Sequence, residues 1–371
     1  MRKNLISLFY LLLSCFYLAG CINTGNISSP PAQTSTPARA TTNPIPPTIQ
    51  ETAMIPSETL PALQPVTIAN AKDLQLLKTL SIAGFSTSQV SQCSVDFSPD
   101  GRLMAGVCYK NTAPVWEAQS GKLLFELLKA PEHLVATSFS PDGKTIATGG
   151  FSGKIALYDT SNGELRREFP ALPSAVWELD FSPESDRLAS ASIHSGVQVW
   201  ESARGKQLWS YGGKERLRVL SVAYAPDGKT IACGMLAGGV VLLDAQTGQV
   251  ARTLPVEDHV GDVTFNPDGS LLAAGSDDNL IRLWKTVDYS LLNTLEGHAD
   301  FVNGIAFSPD GSLLVSGSHD KSLGIWEVKS GQLLKRLPGH EQVVLRVAVN
   351  SSGTLIASIS WDGTVRLWGV E

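Results

Sequence analysis

A unit of about forty-two residues recurs from Phe97 to the end of this 371-residue chain, and no other feature constrains its fold as strongly. Phe97-Ser-Pro-Asp-Gly returns intact at Phe139 and Phe307, as Tyr224-Ala-Pro-Asp-Gly and Phe265-Asn-Pro-Asp-Gly, shortened at Phe181-Ser-Pro, and worn at Val349-Asn-Ser-Ser-Gly. The spacings are 42, 42, 43, 41, 42 and 42. A second marker, Trp116, Tyr158, Trp200, Leu243, Trp284, Trp326 and Trp368, keeps the same step. A fixed period of this size means one supersecondary unit that buries its apolar face on its neighbours.

Each unit reads as four strands. In the sixth, Val302 to Phe307 is followed by a turn in which Pro presets φ and Gly tolerates φ > 0. Leu313 to Ser318 returns, His319-Asp320-Lys321 turns, a third strand ends at Ile325-Trp326, and Gln332 to Leu337 lies outermost. Gly297-His298, Asp320 and Ile325-Trp326-Glu327, repeated as Gly339-His340, Asp362 and Leu367-Trp368, resemble the WD-repeat β-propeller family over Leu74 to Glu371. The resemblance implies an all-β, seven-bladed propeller of four-stranded antiparallel blades. The seventh unit lacks an outer strand, and Leu76-Leu-Lys-Thr-Leu80 matches the outer strands Leu333–Leu337 and Leu291–Leu295. The N-terminal strand is therefore expected to pair with the C-terminal blade and close the ring, leaving no open edge.

What precedes the ring has a different composition. Met1-Arg2-Lys3 and the apolar run Leu5 to Tyr17 read as a signal peptide, too short to span a membrane. Leu18-Ala19-Gly20-Cys21 resembles a bacterial lipobox, which implies cleavage after Gly20 and diacylation of Cys21. Residues 21–70 are expected to be a lipidated Cys and a disordered Ser/Thr/Pro tether, with nine of the 21 prolines between Ile22 and Pro65. The propeller then takes residues 71–371, and cutting before Ala71 is expected to be harmless. These features together place the chain outside the cytoplasm, on a cell or outer membrane.

The net charge of −6 falls to about −8 without Arg2 and Lys3, so the basic footprint of a nucleic-acid binder is missing. It also leaves the lipid, not the protein surface, to hold an anionic membrane. Phosphate-loop, zinc-protease and nucleophile-elbow patterns all fail on residue identity, so no cofactor, metal or catalytic residue is assigned. A His with a Ser and an Asp invites a catalytic-triad reading. The resemblance implies instead that His298, Ser316, Asp320 and Trp326, and likewise His340, Ser358, Asp362 and Trp368, are buried hydrogen-bonded sets that staple strands. Cys93 and Cys108 flank the first hairpin; they face each other if Phe97 pairs with Met104 and point apart if it pairs with Leu103. Cys233 reads as inert packing.

In the family, partners dock on the face formed by the loop into each first strand and the turn between the second and third. That rim carries Tyr109, Phe151, Trp177, Phe301 and Trp361, with Arg218 and His319. Exposed aromatics beside an Arg suit a protein or peptide partner bound by a monomeric ring; the alternative is that they pack on one another around the channel mouth. Glycan stacking on the same rings is a further reading. A propeller hydrolase or lyase would have to draw on Asp277, His319, His133 and His259.

Overall fold

A computed structural model describes residues 60–82, 92–127, 133–170, 172–212 and 217–371. Cys21, the signal sequence and most of the expected tether lie outside the described residues. Within them, 28 strands form seven four-stranded antiparallel sheets, and Ala71–Asp73 is a single turn of 3₁₀ helix. Six sheets are built from consecutive strands. The seventh takes its outer strand, Gln75–Ser81, from the N-terminal side of the ring and places it beside Thr364–Gly369. Leu76 faces Trp368 and Leu80 faces Val365, so the expected closure is present.

The repeated turn explains why each blade starts the same way. Gly101 has φ 71°, and its N–H donates to the Ser98 carbonyl at 2.8 Å. The Ser98 hydroxyl donates to Asp100 at 2.6 Å while accepting the Leu103 amide at 2.9 Å, so the side chains satisfy the hairpin's own backbone. Ser140 and Asp142 repeat this in the next blade.

Between blades lie apolar seams. Phe139, Ile146 and Tyr158 of the second blade pack on Ala105, Val107 and Val115 of the first. Every residue of the second marker is buried, from Leu243 at 0% exposed to Trp116 and Trp284 at 4%. Burying a large apolar side chain contributes about 1.5–3 kcal/mol, which is why these positions keep the repeat's step. Trp209, off that step, is only partly buried and donates to the Ala245 carbonyl at 3.1 Å.

The boundary at residue 71 needs correction. Val66 is buried against Val344, Ile356 and Trp368, and its N–H donates to Gly353 at 2.9 Å. The Gln64 amide donates to Val370 at 2.9 Å, and Asn70 Oδ1 accepts the Thr67 amide at 2.7 Å. Residues 60–70 thus pack along the last blade, with the Leu60 amide reaching the Gln119 carbonyl of the first blade at 3.2 Å. Their apolar residues are too few and irregular to show a periodicity, which is why they read as spacer.

In the first blade Phe97 pairs with Met104, so of the two registers left open it is the one that opposes Cys93 and Cys108, and a disulfide joins them.

Candidate functional site

The two His-Ser-Asp-Trp sets are assembled as the resemblance implied. His298 Nδ1 lies 2.8 Å from Asp320, its Nε2 lies 2.7 Å from Ser316 Oγ, and Trp326 Nε1 donates to that oxygen at 2.8 Å. His340, Asp362, Ser358 and Trp368 repeat these contacts at 2.8, 2.7 and 2.9 Å. Ser316 and Ser358 are fully buried, so neither hydroxyl meets a substrate. Burial raises the Asp320 and Asp362 pKa values, but the hydrogen bonds from His298 or His340 and the neighbouring hydroxyls lower them by more. Both carboxyls end well below the usual carboxylate range. The third blade keeps only a fragment, Trp200 Nε1 on Ser190 at 3.0 Å, with exposed His194 at the turn-Asp position.

The rim residues form two arcs. In the first, Tyr109 stacks on His133 at 4.0 Å with 15° between planes, meets Phe151 edge-on at 5.3 Å, and Phe151 approaches Trp177 at 5.9 Å. In the second, His319 lies 5.2 Å from Phe301 and 5.7 Å from Trp361. Between them the fourth blade supplies half-buried Arg218 with buried Leu220 and Leu236, and the fifth a hydrogen-bonded pair, His259 Nδ1 to Asp277 at 3.0 Å. Two expectations change here. Trp177 is 6% exposed and counts among the buried apolar side chains, with the Phe151 ring packed beside it. Tyr109, Phe151, Phe301 and Trp361 are half-buried rather than exposed, since they pack partly on one another. His133 Nδ1 and Trp361 Nε1 nevertheless have no hydrogen-bond partner among the described residues. Of the residues a hydrolase or lyase would use, Asp277 and His259 meet, His319 lies in the second arc, and His133 is in the first.

Below the rim is a group the motif search missed. A channel of about 390 Å³ is lined by Asp96, Glu178, Asp180, Asp262 and Arg346, all from the inner strands of odd-numbered blades. Each acid accepts an amide of the next blade: Asp96 that of Phe139 at 2.8 Å, Glu178 that of Val222 at 3.1 Å, Asp180 that of Tyr224 at 2.6 Å and Asp262 that of Ile305 at 2.9 Å. Arg346 crosses the channel to Glu178 at 3.0 Å and donates to the Asn303 carbonyl at 2.6 Å. The signal was present as charges at one and three positions before the repeat's aromatic, inside strands that are otherwise apolar. Among the described residues, no three His, Cys, Asp or Glu side chains are grouped to hold a metal.

Burial pushes the Asp96 carboxyl up to about 6 and that of Asp180 to about 7, and raises Glu178 and Asp262 as well. The folded ring therefore holds these protons more tightly than the unfolded chain. The stability they contribute is complete below about pH 4 and is lost as pH rises through about 6 to 7. Burial also lowers the His319 and His340 values, whose contribution runs the other way and is lost on acidification. A difference measurement separates the two. Relative to wild type, Asp180→Asn should gain on the order of 1–3 kcal/mol between pH 5 and pH 8, read as melting temperature at each pH. A difference that stays constant from pH 5 to pH 8 would show that Asp180 is ionised in the ring throughout.

Comparison with known proteins follows the same outline. A family model described as the second β-propeller of echinoderm microtubule-associated protein matches residues 176–344, and the WD domain, G-beta repeat, matches 123–159 and 331–369. WD repeat-containing protein 81 of Danio rerio is 38% identical over 81 residues, 21% of this chain and 4% of that protein. Echinoderm microtubule-associated protein-like 2 of Mus musculus is 35% identical over 101 residues, 26% of this chain and 15% of that protein. The probable serine/threonine-protein kinase PkwA of Thermomonospora curvata is 47% identical over 51 residues, 14% of this chain and 7% of that protein. The chain thus spans a small fraction of each of these relatives, and what is shared is the repeat. Seven blades of one period, two sets of buried His-Ser-Asp-Trp residues and matches to both family models support a WD-repeat propeller family for this chain.

Proposed function

We propose that this chain is a lipid-anchored, extracytoplasmic scaffold or receptor that captures a protein or peptide on the rim face and performs no chemistry itself. The observation that carries the reading is the second arc: Phe301, His319 and Trp361 are half-buried aromatic rings grouped on the rim face. Grouped aromatic rings are the usual material of a binding hot spot, because a partner can cover their remaining exposed faces. Arg218, on the fourth blade of the same rim, adds a charged group. Buried Trp177 takes no part. The lipid reading rests on Cys21 after Leu18-Ala19-Gly20, and the disulfide fits an oxidising compartment.

In-cell cross-linking tests this directly. A Phe301→Ala, Trp361→Ala double variant with the wild-type melting temperature should lose a specific cross-linked partner that wild type retains. Cys21→Ser should release the whole protein from the membrane fraction. Equal cross-linking by both chains would remove the rim from the reading, and an unchanged membrane fraction for Cys21→Ser would remove the anchor.

A further inference from the structure

Blade one differs from its six siblings where the inner strand meets the rim. In each of the others the first two strands are joined through a β-bulge. Leu134 faces Gly150 and Ala136 faces Gly149, so Val135 is an extra residue, and Trp177, Leu220, Gly261, Asn303 and Leu345 are extra in the same way. Blade one runs without a shift from Phe97–Met104 to Cys93–Cys108. By its distance from the repeat's Phe, Cys93 corresponds to the residue that the other blades extrude. Here it lies in the ladder, 4.2 Å from Cys108 between Cα atoms and joined to it.

The turn that follows is different too. Its left-handed residue falls on Gly153, Gly238, Asn279, Lys321 or Gly363 in five of the blades, but two positions earlier in blade one, on Tyr109 with φ 52°. An aromatic residue holds that conformation only when its surroundings impose it. On one side stands the disulfide. On the other, Lys110 bridges to Leu134 of blade two, whose N–H donates to its carbonyl at 2.6 Å, and the Tyr109 ring lies flat on His133. A bulge bends its strand and adds twist, so its absence changes the direction in which the chain leaves Cys108.

We infer that the Cys93–Cys108 bond is a positioning element: by holding blade one unbulged, it lays Tyr109 across the seam onto His133 of blade two and so shapes the first aromatic arc. Both cysteines are fully buried, which makes the bond a permanent brace.

The full chain carrying ¹³C-labelled histidine provides the test. Stacking at this distance moves the His133 ring protons upfield, and Tyr109→Ala, which removes the ring, defines the unstacked position. In Cys93→Val/Cys108→Ser, which copies the Val–Ser pair of other blades, the His133 signal should move to that position while those of His298 and His340 stay in place. A second pair, Cys93→Leu/Cys108→Gly, copies blade two and should behave alike. An unmoved His133 signal in either folded variant overturns the inference. So does alkylation of Cys93 and Cys108 in unreduced, unfolded wild type. Failure of both variants to fold would make the bond a stabiliser only and overturn its positioning role.

Discussion

A chain that begins at Ile82 should show no cooperative thermal transition, whereas one that begins at Leu60 should melt as the full-length protein does. The first lacks Gln75–Ser81, which covers the backbone of Thr364–Gly369 and brings Leu74, buried to 1% exposure, and Leu80 into the seams. Without it the last blade has three strands, an unpaired edge and an uncovered apolar face, and a ring missing one seam no longer constrains its two ends. An intermediate chain beginning at Ala71 is the sharper case. It loses the burial of Val66 and the backbone bonds from Gln64 and Val66 to Val370 and Gly353. Together these contribute about 2–5 kcal/mol, which should lower the melting temperature by roughly 5–15 °C. Coincident melting of the chains starting at 60 and 71 would show that the segment rests on the blade without stabilising it.

The second large effect is expected at Asp362. Its carboxylate receives His340 at 2.8 Å, the Glu341 amide at 3.0 Å and the Thr364 amide at 3.0 Å, with 5% of the side chain exposed. Asp362→Ala would leave these donors buried and unpaired, a loss of about 3–5 kcal/mol. Ser358→Ala, which orphans His340 Nε2 and the Trp368 indole N–H, should cost less, about 1–3 kcal/mol. Urea midpoints at pH 7 would measure both, and an Asp362→Ala loss below that of Ser358→Ala would contradict the network. Because the folded Asp362 value is depressed, its contribution is present above about pH 4 and is lost as pH falls below that.

Much of this molecule can be read from period and residue type. Two markers at one step, Pro-Asp-Gly turns and an outer strand missing at one end but present at the other lead to seven blades and a closed ring. The His-Ser-Asp-Trp sets could be assigned residue by residue because each position falls at a fixed offset within its repeat. The rim could be named but not weighed. Trp177 and Trp361 both sit on rim positions in the sequence, yet one is the extra residue of a bulge and is buried, and the other belongs to a turn and stays half-buried. The channel acids escaped notice because they are scattered, one or two per blade, over nearly the whole chain.

The sequence by itself determined the seven repeats and the closure, because both follow from local pattern repeated at a constant interval, and its resemblance to the WD-repeat family supplied the propeller architecture and the buried polar sets. Only the tertiary structure decided which rim aromatics remain half-open, that residues 60–70 belong with the last blade, that Cys93 opposes Cys108, and that acids from three odd-numbered blades meet in one channel with Arg346 of the seventh. These depend on how the blades curve round and meet across the axis. Strand register, bulges and ring closure set that geometry, and a one-residue shift in any of them redirects a side chain from solvent to seam.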